Sequence, residues 1–146
     1  MFGIFPEDKT VNIEGECVLP ASIIIDEFSE MINIPLFYWG VGDYKNSWIR
    51  SLEEGFGNKK HATLAVSMYE PENTNFIFTW VLYFYDEKVF IQNKLLFLDE
   101  LPGFSVDGIN DFIGPRITHN EEGMKISEWS TDLNSVLDFY NSIKIK

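Results

Sequence analysis

The chain has little of what catalysis, metal binding or nucleic-acid binding needs. Cys17 is the only cysteine, which excludes an internal disulfide and a thiolate metal cluster. Only two histidines occur, His61 and His119, and neither lies in a paired metal motif such as H-E-x-x-H. A lone histidine in a strand is ordinarily a sheet or surface residue. Arg50 and Arg116 are the only arginines among 11 basic residues, against 23 acidic ones. A net charge of −12 repels nucleic acid and anionic membrane, because phosphate binding works by displacing counterions with Lys and Arg. No run approaches the ~20 apolar residues of a membrane helix. The start, MFGIFPEDKT, has no basic region followed by a long apolar stretch, so no signal peptide is expected. Together with the lone cysteine this points to a cytoplasmic location.

Phosphate loops and nucleophile elbows are missing too. Gly40-Val41-Gly42 and Gly55-Phe56-Gly57 complete neither G-x-G-x-x-G nor a P-loop, and both read as helix boundaries. Gly103–Gly108 has its second glycine one place late for an elbow and no strand before it, so it reads as a loop. The adjacent acids Asp26-Glu27, Glu53-Glu54, Asp99-Glu100 and Glu121-Glu122 are not acid–base pairs, because neighbouring strand residues point to opposite faces. No catalytic residue, cofactor or metal is assigned.

What is abundant is aromatic. Phe, Trp and Tyr make up 16% of 146 residues, with 13 Phe, and hydrophobic residues reach 45%, enough for a real core. The richest stretch is Asn75–Leu98. Phe76–Tyr85 carries no charge and is dense in aromatic and β-branched residues, so it predicts a strand. Lys88–Leu98 predicts a second. A two-residue loop at Asp86-Glu87 sets Tyr85 opposite Lys88, Phe84 opposite Val89, Leu82 opposite Ile91, Trp80 opposite Asn93, Phe78 opposite Leu95 and Phe76 opposite Phe97. The five pairs from Phe84–Val89 to Phe76–Phe97 share one face, which is expected to be core. The other face, Ile77, Thr79, Val81, Tyr83 and Tyr85 against Leu96, Lys94, Gln92, Phe90 and Lys88, is expected to be half wet.

Elsewhere, Thr10–Leu19 alternates weakly around a turn or bulge at Glu14-Gly15-Glu16, and Pro20 is expected to end it. Ala21–Phe28 predicts a short strand, and Pro35 an extended segment before it. Tyr44, Trp48 and Leu52 recur at helical spacing with Ile49 beside them, so Asp43–Glu54 predicts a helix capped by Asp43 and ended by Gly55 and Gly57. His61–Tyr69 predicts a strand that completes a meander with the hairpin. Asp99–Asn110 reads as a loop, Asn120–Gly123 as a turn, and Met124–Trp129 as a strand with Met124 and Ile126 on one side. Thr131–Ser142 predicts a C-terminal helix capped by Ser130 or Thr131. The fold class is therefore α+β, one domain over residues 1–146: a mainly antiparallel bent sheet or small β-sandwich with one amphipathic helix and a C-terminal helix.

Four segments, IPLFYWGVGDYKNSW (34–48), LAVSMYEP (64–71), NFIFTWVLYFYDEKVFIQNKLLF (75–97) and GMKISEW (123–129), resemble the immunity proteins of bacterial contact-dependent growth inhibition systems. The resemblance spans about residues 34 to 129. It implies a small cytoplasmic protein that binds and blocks a toxin domain delivered by a neighbouring cell, often a nuclease such as a ribonuclease. No binding residue carries over from these motifs. The acidic, catalytically barren composition independently suits a partner rich in Lys and Arg. The acids expected to contact it are those in loops and strand ends: Glu14, Glu16, Asp26, Glu27, Glu70, Glu72, Glu121 and Glu122. Two other readings stand beside this one. Asn93 opposite Trp80, polar on an apolar face, is consistent with a barrel-like protein holding one small apolar ligand. An enzyme would pair His61 or His119 with an acid.

Overall fold

The computed structural model describes residues 1–70 and 74–144. Two four-stranded antiparallel sheets carry the chain. The first contains β1 (Phe2–Pro6), β2 (Val11–Ile13), β3 (Glu16–Ile25) and β4 (Phe28–Pro35). The second runs in the order β5 (His61–Ala65), β6 (Phe76–Tyr85), β7 (Lys88–Phe97) and β8 (Trp129–Asp132). Helix α1 (Val41–Asn58) joins the sheets and α2 (Leu133–Lys144) follows β8. The class is α+β, as expected. Both sheets are open, with no closed barrel to enclose a ligand, and Asn93 lies on the surface.

The β6–β7 register agrees with all six expected pairs, from Tyr85 opposite Lys88 to Phe76 opposite Phe97. Asp86 takes the left-handed conformation that lets two residues close the turn. The division of faces differs. Trp80, Leu82, Val89 and Ile91 are buried on one face, and Ile77, Thr79, Val81, Tyr83, Gln92 and Leu96 are buried on the other. The second face is covered by the long connection after β7. Asn110 receives a hydrogen bond from Thr63 (2.8 Å), and the Ile117 carbonyl receives one from the Gln92 amide (2.9 Å). That connection contains short 3-10 helices at Leu98–Glu100 and Val106–Phe112 rather than plain loop. It also includes the turn at Asn120–Gly123, closed by Gly123 N–H to Asn120 O (3.0 Å). Met124 is exposed, and the strand starts only at Trp129, because pairing with β7 spans Lys88–Ile91 alone.

Pro20 does not end a strand: β3 runs through it. On one side of β3, β1 pairs with Phe2–Pro6 against Ala21–Ile25 and β2 with Val11–Ile13 against Glu16–Val18. Pro20 falls in the gap between them, with its carbonyl accepting from Glu7 N–H (2.8 Å). Its missing N–H faces that gap and breaks no rung. Asp26-Glu27, expected inside a strand, form the two-residue turn to β4, with Asp26 at φ 53°.

Helix α1 is longer than Asp43–Glu54. Its N-cap is Gly40, and Asp43 acts from the third helical position, its carboxylate accepting from Gly40 N–H (3.0 Å). Gly55 and Gly57 lie inside it. A Cβ on Gly55 would stand 2.7 Å from the His61 carbonyl and 2.8 Å from the Phe84 ring, so glycine lets the helix press on the second sheet. Lys59, in the left-handed conformation, ends the helix. The Tyr44–Trp48–Leu52 stripe is buried, as expected. Its polar tips serve backbone: Trp48 Nε1 donates to Ala65 O (2.8 Å), and Ser51 Oγ accepts from Thr63 N–H (2.7 Å). Both groups belong to the outer edge of β5, so α1 caps that edge with side chains. Tyr44 Oη donates to Pro35 O (2.7 Å) and accepts from Met68 N–H (2.9 Å), tying the end of β4 to the segment that follows β5. The C-terminal helix starts after Asp132, whose carboxylate accepts from Ser135 N–H (2.7 Å), while Thr131 belongs to β8.

The second face of sheet two ends at an ion pair. Arg116 Nε donates to Glu128 (2.8 Å), and Gln92 Nε2 donates to the same carboxylate (2.7 Å). The guanidinium lies over the Phe90 ring at 3.8 Å. The Arg116 hydrogen bond chiefly holds the Glu128 carboxyl below its ordinary value of 4.5, with Gln92 adding to this and burial opposing it. A lowered folded-state pKa stabilises the fold above the unfolded value and is lost as pH falls through the folded one. Glu128→Gln is expected to lower stability at pH 7 and to flatten the fall in urea midpoint from pH 5 to pH 3. An unchanged slope over that window contradicts the assignment.

Candidate functional site

The acids singled out in the sequence do not form one patch. Glu14 sits at the β2–β3 turn, at φ 51° before Gly15 at φ 85°. Glu16 opens β3 and accepts a hydrogen bond from Tyr69 Oη. Burial first, and then that carboxylate, push the Tyr69 phenol up to about 12, so it stays a donor at neutral pH. Glu16 and Glu70 line one hollow of ≈ 300 Å³ with Phe37, Tyr69 and Thr74. Glu14 lies two residues before Glu16, so these three acids gather at one end of the first sheet.

Asp26 and Glu27 lie at the opposite end of the ten-residue β3, about 30 Å away at 3.3 Å per residue. Asp26 has internal work. It accepts from Thr131 Oγ1 (2.7 Å) and pairs with the N-terminal amine (3.0 Å). The Thr131 bond, the larger cause, holds its carboxyl below the usual range. Glu121 and Glu122 are exposed in a third place, a turn organised by Asn120, whose side-chain oxygen accepts from Glu122 N–H (3.0 Å) and Met124 N–H (2.9 Å). Glu72 lies outside the described residues.

Part of the hairpin face expected to be core lies on the surface. Phe76, Phe78, Leu95 and Phe97, at the open end of the hairpin, are 40%, 51%, 37% and 44% exposed. They share one face by register. Phe76 and Phe78 contact each other edge to face at 5.6 Å. The patch is contiguous with the acids on both sides. Thr74, in the Glu16–Glu70 hollow, hydrogen-bonds the Phe76 carbonyl (3.1 Å). A second hollow of ≈ 280 Å³ sets Phe78 and Asn93 beside Glu30 and Ile32 of β4. The sequence gives no signal of this exposure: His61–Tyr69 predicts a strand running alongside the hairpin, but β5 stops at Ala65 and β8 pairs only with the turn end of β7, so the open end of the hairpin extends past both neighbours.

No constellation for turnover accompanies this surface. His61 Nε2 lies 2.8 Å from the Asn110 carbonyl oxygen, and His119 Nδ1 lies 2.9 Å from Thr118 Oγ1. Among the described residues neither histidine forms an ion pair with a carboxylate, and no cluster of His, Cys, Asp and Glu could hold a metal. Among the described residues no helix is long and apolar enough to cross a membrane.

An acidic α+β scaffold with an aromatic face rimmed by carboxylates has the make-up of a small protein-binding module. Comparison with known proteins narrows this. The family described as CdiI N-terminal domain matches residues 34–139. A protein named immunity protein CdiI, from Enterobacter cloacae subsp. cloacae, is 62% identical over 143 residues, covering 98% of this chain and 99% of the relative. A chain of the solved CdiA-CT/CdiI toxin and immunity complex from Enterobacter cloacae superposes with a TM-score of 0.96 at 61% identity, over 100% of both chains. The chain belongs to the CdiI immunity protein family.

Proposed function

We propose that this chain binds the toxin domain of a cognate contact-dependent growth inhibition system and neutralises it by stoichiometric protein–protein inhibition, without catalysis. The observation that carries this is full-length likeness, at 61% identity and a TM-score of 0.96, to a chain of the CdiA-CT/CdiI complex. The net charge of −12 supports a basic toxin. A basic toxin suits a nuclease, such as a ribonuclease, because such enzymes present cations to phosphate. Inhibition of a nuclease acting on the cell's own nucleic acid suits a cytoplasmic location for this chain.

Coexpression in Escherichia coli with the CdiA-CT domain of the Enterobacter cloacae complex tests both parts. Growth is expected to continue with this chain and to stop without it. Equal inhibition in both cultures removes the immunity reading. Total RNA from the arrested cells is expected to show discrete cleavage, and intact RNA together with intact DNA removes the nuclease part alone.

A further inference from the structure

We infer that the toxin docks on the open end of the β6–β7 hairpin, with Phe76, Phe78, Leu95 and Phe97 as the apolar centre and Glu16, Glu30 and Glu70 as the charged rim. The inference rests on the toxin-binding reading above and assigns it a surface.

Four independent features converge there. The first is the cluster itself. Isolated exposed phenylalanines are ordinary, but three Phe and a Leu on one face at the end of one hairpin form a contiguous patch. Interfaces of the hot-spot kind have this composition, with aromatic anchors at the centre and polar groups at the rim. The second is continuity with a further aromatic. Phe37, 81% exposed, shares the hollow that reaches Thr74 beside Phe76.

The third feature is charge. Glu16 and Glu70 lie on the Phe76 side of the patch and Glu30 on the Phe78 side. The nearest lysine in sequence, Lys94, pairs with Thr79 and so belongs to the opposite face of the sheet. An apolar centre flanked by carboxylates complements a basic domain. It disfavours a second copy of this chain, which would bring like charges together. The fourth is the strand edge. β8 pairs only with Lys88–Ile91, so Gln92–Phe97 has a strand neighbour on the β6 side alone. An unpaired edge beside exposed apolar side chains offers main-chain hydrogen bonds to an incoming segment.

Asp26-Glu27 and Glu121-Glu122 lie outside this surface. Asp26 is engaged by Thr131 and the N-terminus. Neither pair lines the two hollows that adjoin the patch.

The test is calorimetric titration with the Enterobacter cloacae CdiA-CT domain, made as the complex and separated under denaturant. Three chains are compared: wild type, F76S/F78S and E121Q/E122Q. The serine substitutions replace exposed rings, so the thermal midpoint is expected to stay within a few degrees of wild type. The F76S/F78S variant is expected to bind at least about 100-fold more weakly, and E121Q/E122Q within about threefold of wild type. Wild-type affinity in F76S/F78S overturns the docking surface while leaving toxin binding in place. Failure of the wild type to bind overturns the toxin reading and this inference with it. Sedimentation of the free chains decides the remaining occupant: a wild-type dimer that F76S/F78S converts to monomer assigns the patch to self-association and overturns the inference. Should F76S/F78S fold poorly, L95S on β7 combined with E30Q on β4 is read by the same criteria.

Discussion

Trp48→Ala is expected to lower the free energy of unfolding by about 3–5 kcal/mol, the range for removing a fully buried large aromatic side chain. Trp48 is completely buried between α1, the second sheet and α2, with its ring 6.2 Å from that of Phe139 and 6.4 Å from that of Tyr44. The loss has two parts. A cavity opens where three layers meet, and the Ala65 carbonyl on the β5 edge loses its 2.8 Å partner. Trp48→Phe separates them: it keeps much of the volume and removes the donor, and is expected to cost about 1–3 kcal/mol for the orphaned carbonyl and the residual space. Urea unfolding at pH 7 measures both. Equal costs for the two variants would show that the indole N–H, rather than its bulk, holds α1 against β5. A cost under 1 kcal/mol for Trp48→Ala would mean that α1 is not part of the cooperative core.

The second large effect is expected at Asn110, a residue that the sequence reading passed over as loop. It is buried, and its side-chain oxygen accepts from Thr63 Oγ1 (2.8 Å) and Ser51 Oγ (3.1 Å). Its amide donates to Ser51 O (3.3 Å) and Glu54 (3.2 Å). One side chain thereby joins α1, β5 and the long connection over the second face. Asn110→Leu leaves two buried hydroxyl donors without an acceptor, at about 1–3 kcal/mol each, so a loss of about 3 kcal/mol is expected. A double-mutant cycle checks the mechanism. Thr63→Val removes one of the stranded donors, so N110L/T63V is expected to be more stable than the sum of the single losses predicts, by about 1 kcal/mol. Strict additivity would mean that Asn110 acts by shape rather than by its hydrogen bonds.

The hairpin of the second sheet was legible in the sequence, whereas Phe2–Pro6 had no predicted strand and Phe28–Pro35 only an extended segment before Pro35. The hairpin register follows from alternation and a two-residue turn, and every expected pair forms. The α1 core stripe follows from its four-residue spacing. These are local properties, because period and turn length are set by the backbone within about ten residues. The misplaced boundaries are those where a local rule met a long-range one. Pro20 is tolerated because two different strands pair on either side of it. Gly55 is a point of close packing instead of a helix stop, since the sheet leaves no room for a Cβ. The acidic composition was readable at once, but its division among separate surfaces depends on which ends of β3 lie where.

The opposite fates of Phe84 and Phe76 draw the line most clearly. Both lie on the same face of β6, in the same chemical class, and alternation assigns both inward. Phe84 meets the Phe56 ring of α1 at 5.6 Å, whereas Phe76 has only Phe78 at that distance. The sequence determined that their side chains point the same way. Only the tertiary structure decided that α1 and the short outer strands reach one of them and not the other, because cover comes from distant elements whose length and placement no local pattern encodes.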